Sequence, residues 1–252
     1  MAVYTTIDNP ELYFQVKTWT GTGSAMTIDH NLGQVPGMII VKSTSATYDW
    51  AVWHREFTGT TDYIKLNTTA AKTDSAGVFG NGSTYLTPTS TQFFVGGNNQ
   101  VSGEVGGGYV AYLFAHNNDD GGFGEPGDQD IIKCGSYTGN GNSDGPTIDL
   151  GFEPQWVMWK RTDSGTESWH IRDVMRGMPV TASGKDIYAD RSAAEGSTTN
   201  EGPIPTANGF KLVGTNTNGN ASGGTYIYIA IRRPNKPASE FAATDLFKTV
   251  AG

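Results

Sequence analysis

An internal repeat limits the possible folds of this 252-residue chain more than any other feature. The offset between matching residues stays between 117 and 123, and the matching segments keep their order. A period of this length is too long for a solenoid unit and has the size of a small domain. The sequence therefore predicts two copies of one fold. The matching segments are 17–24 with 135–142, 27–42 with 147–160, 66–72 with 189–195, 88–99 with 205–216, and 107–115 with 224–232.

Each copy consists of short apolar runs separated by turn residues. Glycine occurs 34 times, and Asn-Gly steps such as Asn81-Gly82 supply the positive φ that tight hairpins need. Val, Ile, Thr and aromatic residues fill the runs, as is typical of strands. About seven strands in roughly a hundred residues favour a β-sandwich. In copy 1 we predict strands at 15–20, 26–30, 37–43, 49–54, 62–67, 92–96 and 108–115.

Two kinds of strand can be distinguished by pattern. "MIIVK" at 38–42 and "WVMWK" at 156–160 are continuous apolar runs, which indicate strands covered on both faces or lying centrally in a sandwich. "YVAYLFA" at 109–115 alternates large and small side chains, as a strand between two layers does. The glycine-rich "GEVGGGYV" at 103–110 leads into this strand and lacks the lysine of a phosphate-binding loop, so we interpret it as a hairpin turn.

These patterns predict an all-β chain with two tandem homologous β-sandwich domains of jelly-roll-like type. We expect an N-terminal arm at 1–13, repeat 1 at 14–116, an acidic Gly-rich linker at 117–130, repeat 2 at 131–233, and a tail at 234–252. "SEFAATDLFK" in the tail has a Ser cap and apolar residues at helical spacing, which predicts one short C-terminal helix. The strand order within each sandwich cannot be predicted from these patterns.

Charge and cysteine content exclude several functions. The formal net charge is −8 and no cluster of Lys or Arg is present, so we expect no nucleic-acid partner. One cysteine, Cys134, excludes an intramolecular disulfide framework. No segment approaches the length of an apolar membrane span, so we expect no membrane insertion.

The residues that could support catalysis are few and scattered. His30, His54, His116 and His170 do not pair at metal-ligand spacing, and we expect packing or surface roles for them. Cys134 has no neighbouring motif and is expected to be an inert thiol near the start of a strand. The sequence therefore predicts no catalytic, cofactor-binding or metal-binding residue, no cofactor, and a non-enzymatic protein.

One acidic cluster could in principle provide oxygen ligands for Ca²⁺. It lacks the EF-hand spacing and has no equivalent in the other copy, so a solvated connector is the preferred interpretation. Its members lie in or beside the linker: Asp119, Asp120, Glu125, Asp128 and Asp130.

Tryptophans are the remaining binding candidates, because aromatic rings stack on the apolar faces of sugars. Trp50 and Trp169 occupy the same repeat position, which favours a shared role in the core. Trp53 aligns with Arg172, so we predict that Trp53 is the exposed tryptophan best suited to contact a glycan. Trp156 and Trp159 are further aromatic candidates in copy 2.

Several motifs together resemble a family of tailed-phage structural proteins that is frequent in marine phages. In that family an "NPxxYF" segment leads into a "YTGNG" turn, a "GFxPxWVxxKR" strand follows, and the copy closes on a "GxTYIYxAF" strand. Here the corresponding segments are "NPELYFQV" at 9–16, "YTGNG" at 137–141, "GFEPQWVMWKR" at 151–161 and "GGTYIYIAI" at 223–231. "ELYFQ" is therefore native sequence and not the remnant of a protease site. The ending "IRRP" at 231–234 departs from the family pattern.

The resemblance implies a non-enzymatic virion protein, most often assigned to the tail or a tail fibre and assembled in the host cytoplasm. It implies other virion proteins as partners, a homo-oligomer, and contact with a host-surface glycan. A head decoration protein and a carbohydrate-active enzyme or lectin-like module are the alternatives. A glycosidase would need paired carboxylates in a cleft, whereas the acidic residues here cluster in the linker.

Overall fold

The computed structural model describes residues 13–118, 130–178, 184–198 and 201–233. The all-β prediction is confirmed, since these residues form antiparallel strands and one short 3₁₀ turn at Arg55–Phe57. The seven strands predicted in copy 1 are all present to within about two residues, and a two-residue strand, β6, adds to them. The strands are β1 Phe14–Thr20, β2 Met26–Asp29, β3 Met38–Ser43, β4 Ala51–His54, β5 Asp62–Lys65, β6 Thr73–Asp74, β7 Gln92–Val95, β8 Gly108–Phe114, β9 Ile132–Thr138, β10 Asp144–Asp149, β11 Pro154–Arg161, β12 His170–Asp173, β13 Gly184–Tyr188, β14 Gly196–Thr198, β15 Gly202–Thr206, β16 Gly209–Val213 and β17 Thr225–Arg232.

Each copy contributes one six-stranded sheet, and the two sheets have the same strand order. The order is β1-β8-β3-β4-β5-β6 in copy 1 and β9-β17-β11-β12-β13-β14 in copy 2. The pairing registers also match: Ile40 lies opposite Tyr112 and Val52, and Met158 lies opposite Ile229 and Ile171. An identical ladder in both halves is what a duplicated fold predicts, and it fixes residue-by-residue equivalence between the copies.

A second, smaller sheet covers the outer face of each large sheet. In copy 1 it is β2 paired with β7, and in copy 2 it is β10, β16 and β15. Alternate residues of the large sheets point toward these covers, because successive side chains of a strand face opposite ways. Ile39 and Trp53 thus pack with Phe93 in one buried cluster, and Val157 and Trp159 pack with Phe210 in another.

The inner faces of the two large sheets pack against each other. The other alternate residues of the same strands, Met38 and Ile40 in copy 1 and Met158 and Ile229 in copy 2, belong to a single buried cluster. The fold therefore has four layers, with the large sheets in the middle. This explains the continuous apolar runs of β3 and β11, whose residues are needed on both faces.

An aromatic pair anchors the loop end of each copy in the same way. Trp19 stacks on Tyr109 and donates Nε1–H to the Val101 carbonyl, at 3.0 Å. Tyr137 stacks on Tyr226, with ring centroids 4.8 Å apart, and donates its hydroxyl to a loop carbonyl of copy 2. Ring stacking and the polar group of each side chain together fix the glycine-rich loops to the sheet.

Three predicted segments lie outside the described residues. These are the arm except for Tyr13, the linker between 119 and 129, and the tail with its expected helix at 234–252. The domain boundaries therefore remain predictions, although Tyr13 is buried in the inner cluster.

Candidate functional site

The candidate site is the contact between the two copies. It forms because alternate residues of each large sheet point toward the other copy. Copy 1 presents residues from β3, β4 and β5, and copy 2 presents residues from β9, β11 and β17. All of them are nearly inaccessible to solvent. The apolar members, buried to 8% exposure or less, are Tyr13, Met38, Ile40, Val52, Phe57 and Ile64 in copy 1 and Ile131, Ile132, Cys134, Met158, Trp169, Ile227 and Ile229 in copy 2.

Polar contacts at the edge of this cluster connect the copies directly. Trp169 donates its indole N–H to the Lys65 carbonyl at 2.8 Å, and Lys160 Nζ donates to the Thr69 carbonyl at 3.0 Å. Ser136 donates its hydroxyl to a Glu56 carboxylate oxygen at 2.7 Å. The bonds of Trp169 and Lys160 satisfy buried donors, whose lack of a partner would be costly in an apolar interior, whereas Ser136 and Glu56 are exposed at the rim of the contact.

Lys160 is unusual because its side chain is fully buried in the contact, at 0% exposure. Burial lowers its pKa to about 8, while the carboxylates of Glu167 and Asp190 oppose this shift. The repeat-equivalent Lys42 instead donates to two carbonyls of its own loop, those of Ala46 and Tyr48. The lysine at this repeat position therefore stabilises a local turn in copy 1, whereas in copy 2 it contacts the other copy.

The side chain of His54 is a neutral imidazole that hydrogen-bonds across the same contact. Its Nδ1 accepts a hydrogen bond from the Glu56 amide, so the proton is on Nε2, which donates to the Tyr228 carbonyl at 3.1 Å. Burial lowers the pKa of His54 to about 3, and the Tyr228 hydrogen bond opposes this shift only partly. Protonation of His54 therefore works against packing of the copies.

We expect acid to destabilise the protein before its carboxylates titrate. The unfolded chain binds a proton at His54 below about pH 6.5, whereas the folded chain does not until about pH 3. Stability is thus present above the unfolded pKa and falls by about 1.4 kcal/mol per pH unit below it, or about 2–3 kcal/mol by pH 4.5. Denaturant titrations at a series of pH values measure this slope.

A His54→Gln variant serves as the control for this acid effect. It should start from a lower stability at pH 7 but should lose less between pH 6.5 and 4.5. His30, whose pKa burial also lowers, contributes a slope in the same direction in both proteins. Equal slopes in the two proteins would contradict the assignment to His54.

Cys134 and Gly37 approach each other closely where the copies meet. Cys134 is 2% exposed, and its Sγ lies 3.9 Å from the Ala115 carbonyl oxygen of copy 1. A Cβ placed on Gly37 would lie only 2.7 Å from that sulfur and 2.8 Å from the same carbonyl. Burial raises the pKa of the thiol well above its ordinary value. The expectation of an unreactive thiol agrees with this position, since the thiolate is the reactive form.

A second constellation, inside copy 2, brings together three ionisable side chains. Arg172 Nε donates to one oxygen of Asp186, and His170 Nδ1 donates to the other at 3.2 Å. All three are at most 2% exposed. Burial alone would raise the pKa of Asp186, but the hydrogen bonds from His170 and Arg172 outweigh it and hold the pKa below its ordinary value.

Backbone carbonyls and glycines complete the surroundings of the guanidinium. Arg172 Nη1 donates to the Glu201 carbonyl at 2.7 Å. A Cβ on Gly202, whose φ is +89°, would lie 2.5 Å from Nη1, and one on Gly184 would lie 2.7 Å from Cζ. The guanidinium thus occupies a slot that only glycine leaves open.

Sequence reasoning missed this network, although the repeat carries its signal. By ladder register, Arg172 and Asp186 replace Trp53 and Tyr63 of copy 1. A buried aromatic pair in one copy has become a buried ion pair in the other, and His170 stands where copy 1 has Ala51. Correlated differences between the copies at facing positions indicate an exchanged core contact.

The prediction that Trp53 is an exposed sugar-binding residue is wrong. Trp53 is 0% exposed and lies in the cluster under β2 and β7. The alignment with Arg172 suggested a surface position, but Arg172 is itself buried because Asp186 neutralises it. Trp169 is a core residue as predicted, whereas its equivalent Trp50 is only half-buried. Trp159 is buried and Trp156 half-buried.

The remaining candidates serve packing. His30 is 1% exposed and bonds to the Thr89 carbonyl, and His116 Nδ1 accepts from the Cys134 amide at 3.2 Å. Of the acidic cluster, only Asp130 lies within the described residues, where its carboxylate pairs with Lys133 at 3.2 Å. Within the described ranges, no group of three or more His, Cys, Asp or Glu side chains is placed to hold a metal ion.

The histidines, the thiol and the buried lysine have protein partners, and the best-connected ionisable groups hold layers together. The described part of the chain contains no helix with the length and apolarity to cross a membrane.

Comparison with known proteins places the chain in a family. No functionally curated protein matches the sequence. Residues 3–234 match a family described as "Domain of unknown function (DUF7483)", and the match includes both copies and the segment between them. The chain therefore belongs to the DUF7483 family.

Proposed function

We propose that the protein is a non-enzymatic structural component of a tailed-phage virion, most specifically of the tail or a tail fibre. The resemblance of its repeated motifs to such proteins gives the virion assignment. Other virion proteins are then its partners, and the particle, assembled in the host cytoplasm, is its location.

The observation that carries the structural role is the use of the motif residues. In the "PxWVxxK" strand, Val157 packs under the outer sheet, and the lysine, Lys160, joins the copies. In the closing "TYIYxA" strand, Tyr226 fixes the loop end and Ile227 packs in the central layer. Residues that define the resemblance therefore build a rigid four-layer body, as a load-carrying particle component requires.

The buried ionisable network supports a role without catalysis. Arg172 and His170 both donate to Asp186, and because all three side chains are at most 2% exposed, a substrate would have to open the sandwich to reach them. Catalytic groups need hydrogen-bond access to the reacting atoms.

Locating the subunit in intact particles tests this function. We expect an antibody against the folded chain to label the tail or fibres of the phage that encodes it, and a particle reconstruction to place the four-layer body there. Label confined to the head would replace the tail assignment with that of a head decoration protein. Absence from purified particles, or turnover of host polysaccharide that a single carboxylate substitution abolishes, would overturn the proposal.

A further inference from the structure

The contact between the copies is asymmetric, although the copies are equivalent. Apart from Tyr13, which lies just before β1, copy 1 uses the half of its inner face formed by β3, β4 and β5, whereas copy 2 uses the half formed by β9, β17 and Trp169, together with Met158 of β11. The half of the inner face that each copy leaves unused is therefore the equivalent of the half that the other copy contributes to the contact. We call the unused half of copy 1 the open half-face 1 and the unused half of copy 2 the open half-face 2.

Open half-face 1 is the equivalent of the surface that copy 2 buries. Ladder register matches Phe14 with Ile132 and Val16 with Cys134. Ile132 and Cys134 are 4% and 2% exposed, whereas Phe14 and Val16 are 41% and 50% exposed. The Phe14 ring stacks on Tyr112, which in turn stacks on Trp50, the half-buried equivalent of Trp169. Together these four residues define open half-face 1.

Open half-face 2 is the equivalent of the surface that copy 1 buries. Register matches Ile171 with Val52 and Ile187 with Ile64. Val52 and Ile64 are at most 1% exposed, whereas Ile187 is 36% exposed. Met175, 82% exposed, follows β12 by two residues, where copy 1 has the Glu56 that bonds to Ser136. Ile171, Met175, Ile187 and the half-buried Trp156 define open half-face 2.

Both half-faces continue the buried cluster outward. Trp50 and Tyr112 pack at its copy 1 margin, and Trp156 and Ile171 pack at its copy 2 margin. Of the six large apolar side chains that are exposed among the described residues, four lie on these two half-faces: Phe14, Val16, Met175 and Ile187. Apolar surface concentrated in this way marks an interaction site.

We propose that the open half-face 2 of one chain packs against the open half-face 1 of a second copy of the chain, and so repeats the contact inside each chain. The occupant is specified by equivalence, because each half-face already has a working partner in the other copy. Such a contact is heterologous: it joins chains head to tail and closes a ring or extends a filament, depending on the rotation per chain. The inference is independent of the virion assignment, since the contact needs only this chain.

Two charge insertions test the contact in the full chain. Val16→Glu blocks open half-face 1, Met175→Glu blocks open half-face 2, and Val105→Glu, at a site 78% exposed outside both, is the matched control. By sedimentation or light scattering, wild type and Val105→Glu should form an assembly of several chains, and each blocked variant should have the mass of one chain. Far-ultraviolet circular dichroism and tryptophan fluorescence should remain native in all of them.

Mixing the blocked variants tests the head-to-tail geometry. Val16→Glu retains half-face 2 and Met175→Glu retains half-face 1, so the mixture should form a dimer of one chain of each and nothing larger. Assembly lost in only one variant would indicate a symmetric contact and overturn the proposal. A wild type that is monomeric at all concentrations, or blocked variants that assemble like wild type, would also overturn it.

A cysteine pair tests the register. Cys134 and Gly37 approach closely inside the chain, and their equivalents on the open half-faces are Val16 and Gln155. A Val16→Cys/Gln155→Cys chain should therefore form disulfides between chains, visible as a ladder on a non-reducing gel, because a Cβ at the equivalent Gly37 lies 2.7 Å from the Cys134 sulfur, within the reach of a disulfide. Either single variant alone should not form a ladder. An equal yield of cross-links from the single variants would contradict the register.

Discussion

Substituting Asp186 with Ala is expected to lower the free energy of unfolding by about 3–5 kcal/mol, because the Arg172 charge would remain buried without its partner. Arg172 is 1% exposed and cannot move to solvent without leaving the slot lined by Gly184 and Gly202. The measurement is a chemical denaturation curve followed by tryptophan fluorescence, which reports on the adjacent Trp159.

Two further variants make this result specific. Arg172→Met with Asp186→Leu removes both charges and should cost less than Asp186→Ala alone, since no unpaired ion remains. Glu153→Gln breaks the exposed ion pair with Arg233, 2.9 Å long, and should cost at most about 1 kcal/mol. A double variant that is less stable than Asp186→Ala, or equal losses from Asp186 and Glu153, would contradict a buried pair.

Trp169→Ala should be about as damaging, with a loss of about 3–5 kcal/mol. The ring is 1% exposed in the cluster between the copies, and its N–H is bonded to Lys65 of copy 1. Its repeat equivalent provides the matched control: Trp50 is half-buried, so Trp50→Ala should cost only about 1–2 kcal/mol. Thermal denaturation of both variants makes the comparison.

The form of the Trp169→Ala transition is as informative as its midpoint. Because Trp169 packs against copy 1, both copies should lose stability together and unfold in one transition. If the unfolding midpoint of copy 2 decreased while that of copy 1 stayed unchanged, the copies would fold separately.

Much of the fold follows from local sequence pattern. The strands of copy 1 could be predicted because apolar alternation and glycine turns act over a few residues. The two covered faces of β3 were predictable because four consecutive apolar residues cannot all point to one side of a strand. Strand order was not predictable, since β8 pairs with β1 and β3, and the partners of β8 are remote in the sequence.

The site was harder because its partners are brought together only by the fold. Trp53 was predicted to be exposed, yet its environment is set by β2 and β7, which cover it from distant parts of the chain. Arg172 and Asp186 occupy the facing positions that Trp53 and Tyr63 hold in copy 1. The exchange of two aromatic residues for an oppositely charged pair was the available signal that both positions are buried. The packing of one copy on the other could not be predicted from local sequence. The same apolar pattern is expected whether a sheet face packs against a second sheet of its own copy or against the other copy.

Cys134 allows the central result, that two equivalent sheets form one continuous core, to be tested without any mutation. It is the chain's only thiol, and it lies 2% exposed where copy 2 meets copy 1. Its rate of labelling by a thiol reagent can be followed across a denaturant series, beside tryptophan fluorescence of the same samples. We predict that the thiol becomes reactive only at the denaturant concentrations that unfold the protein. Rapid labelling at full native fluorescence would mean that the copies separate freely, and would contradict a shared core.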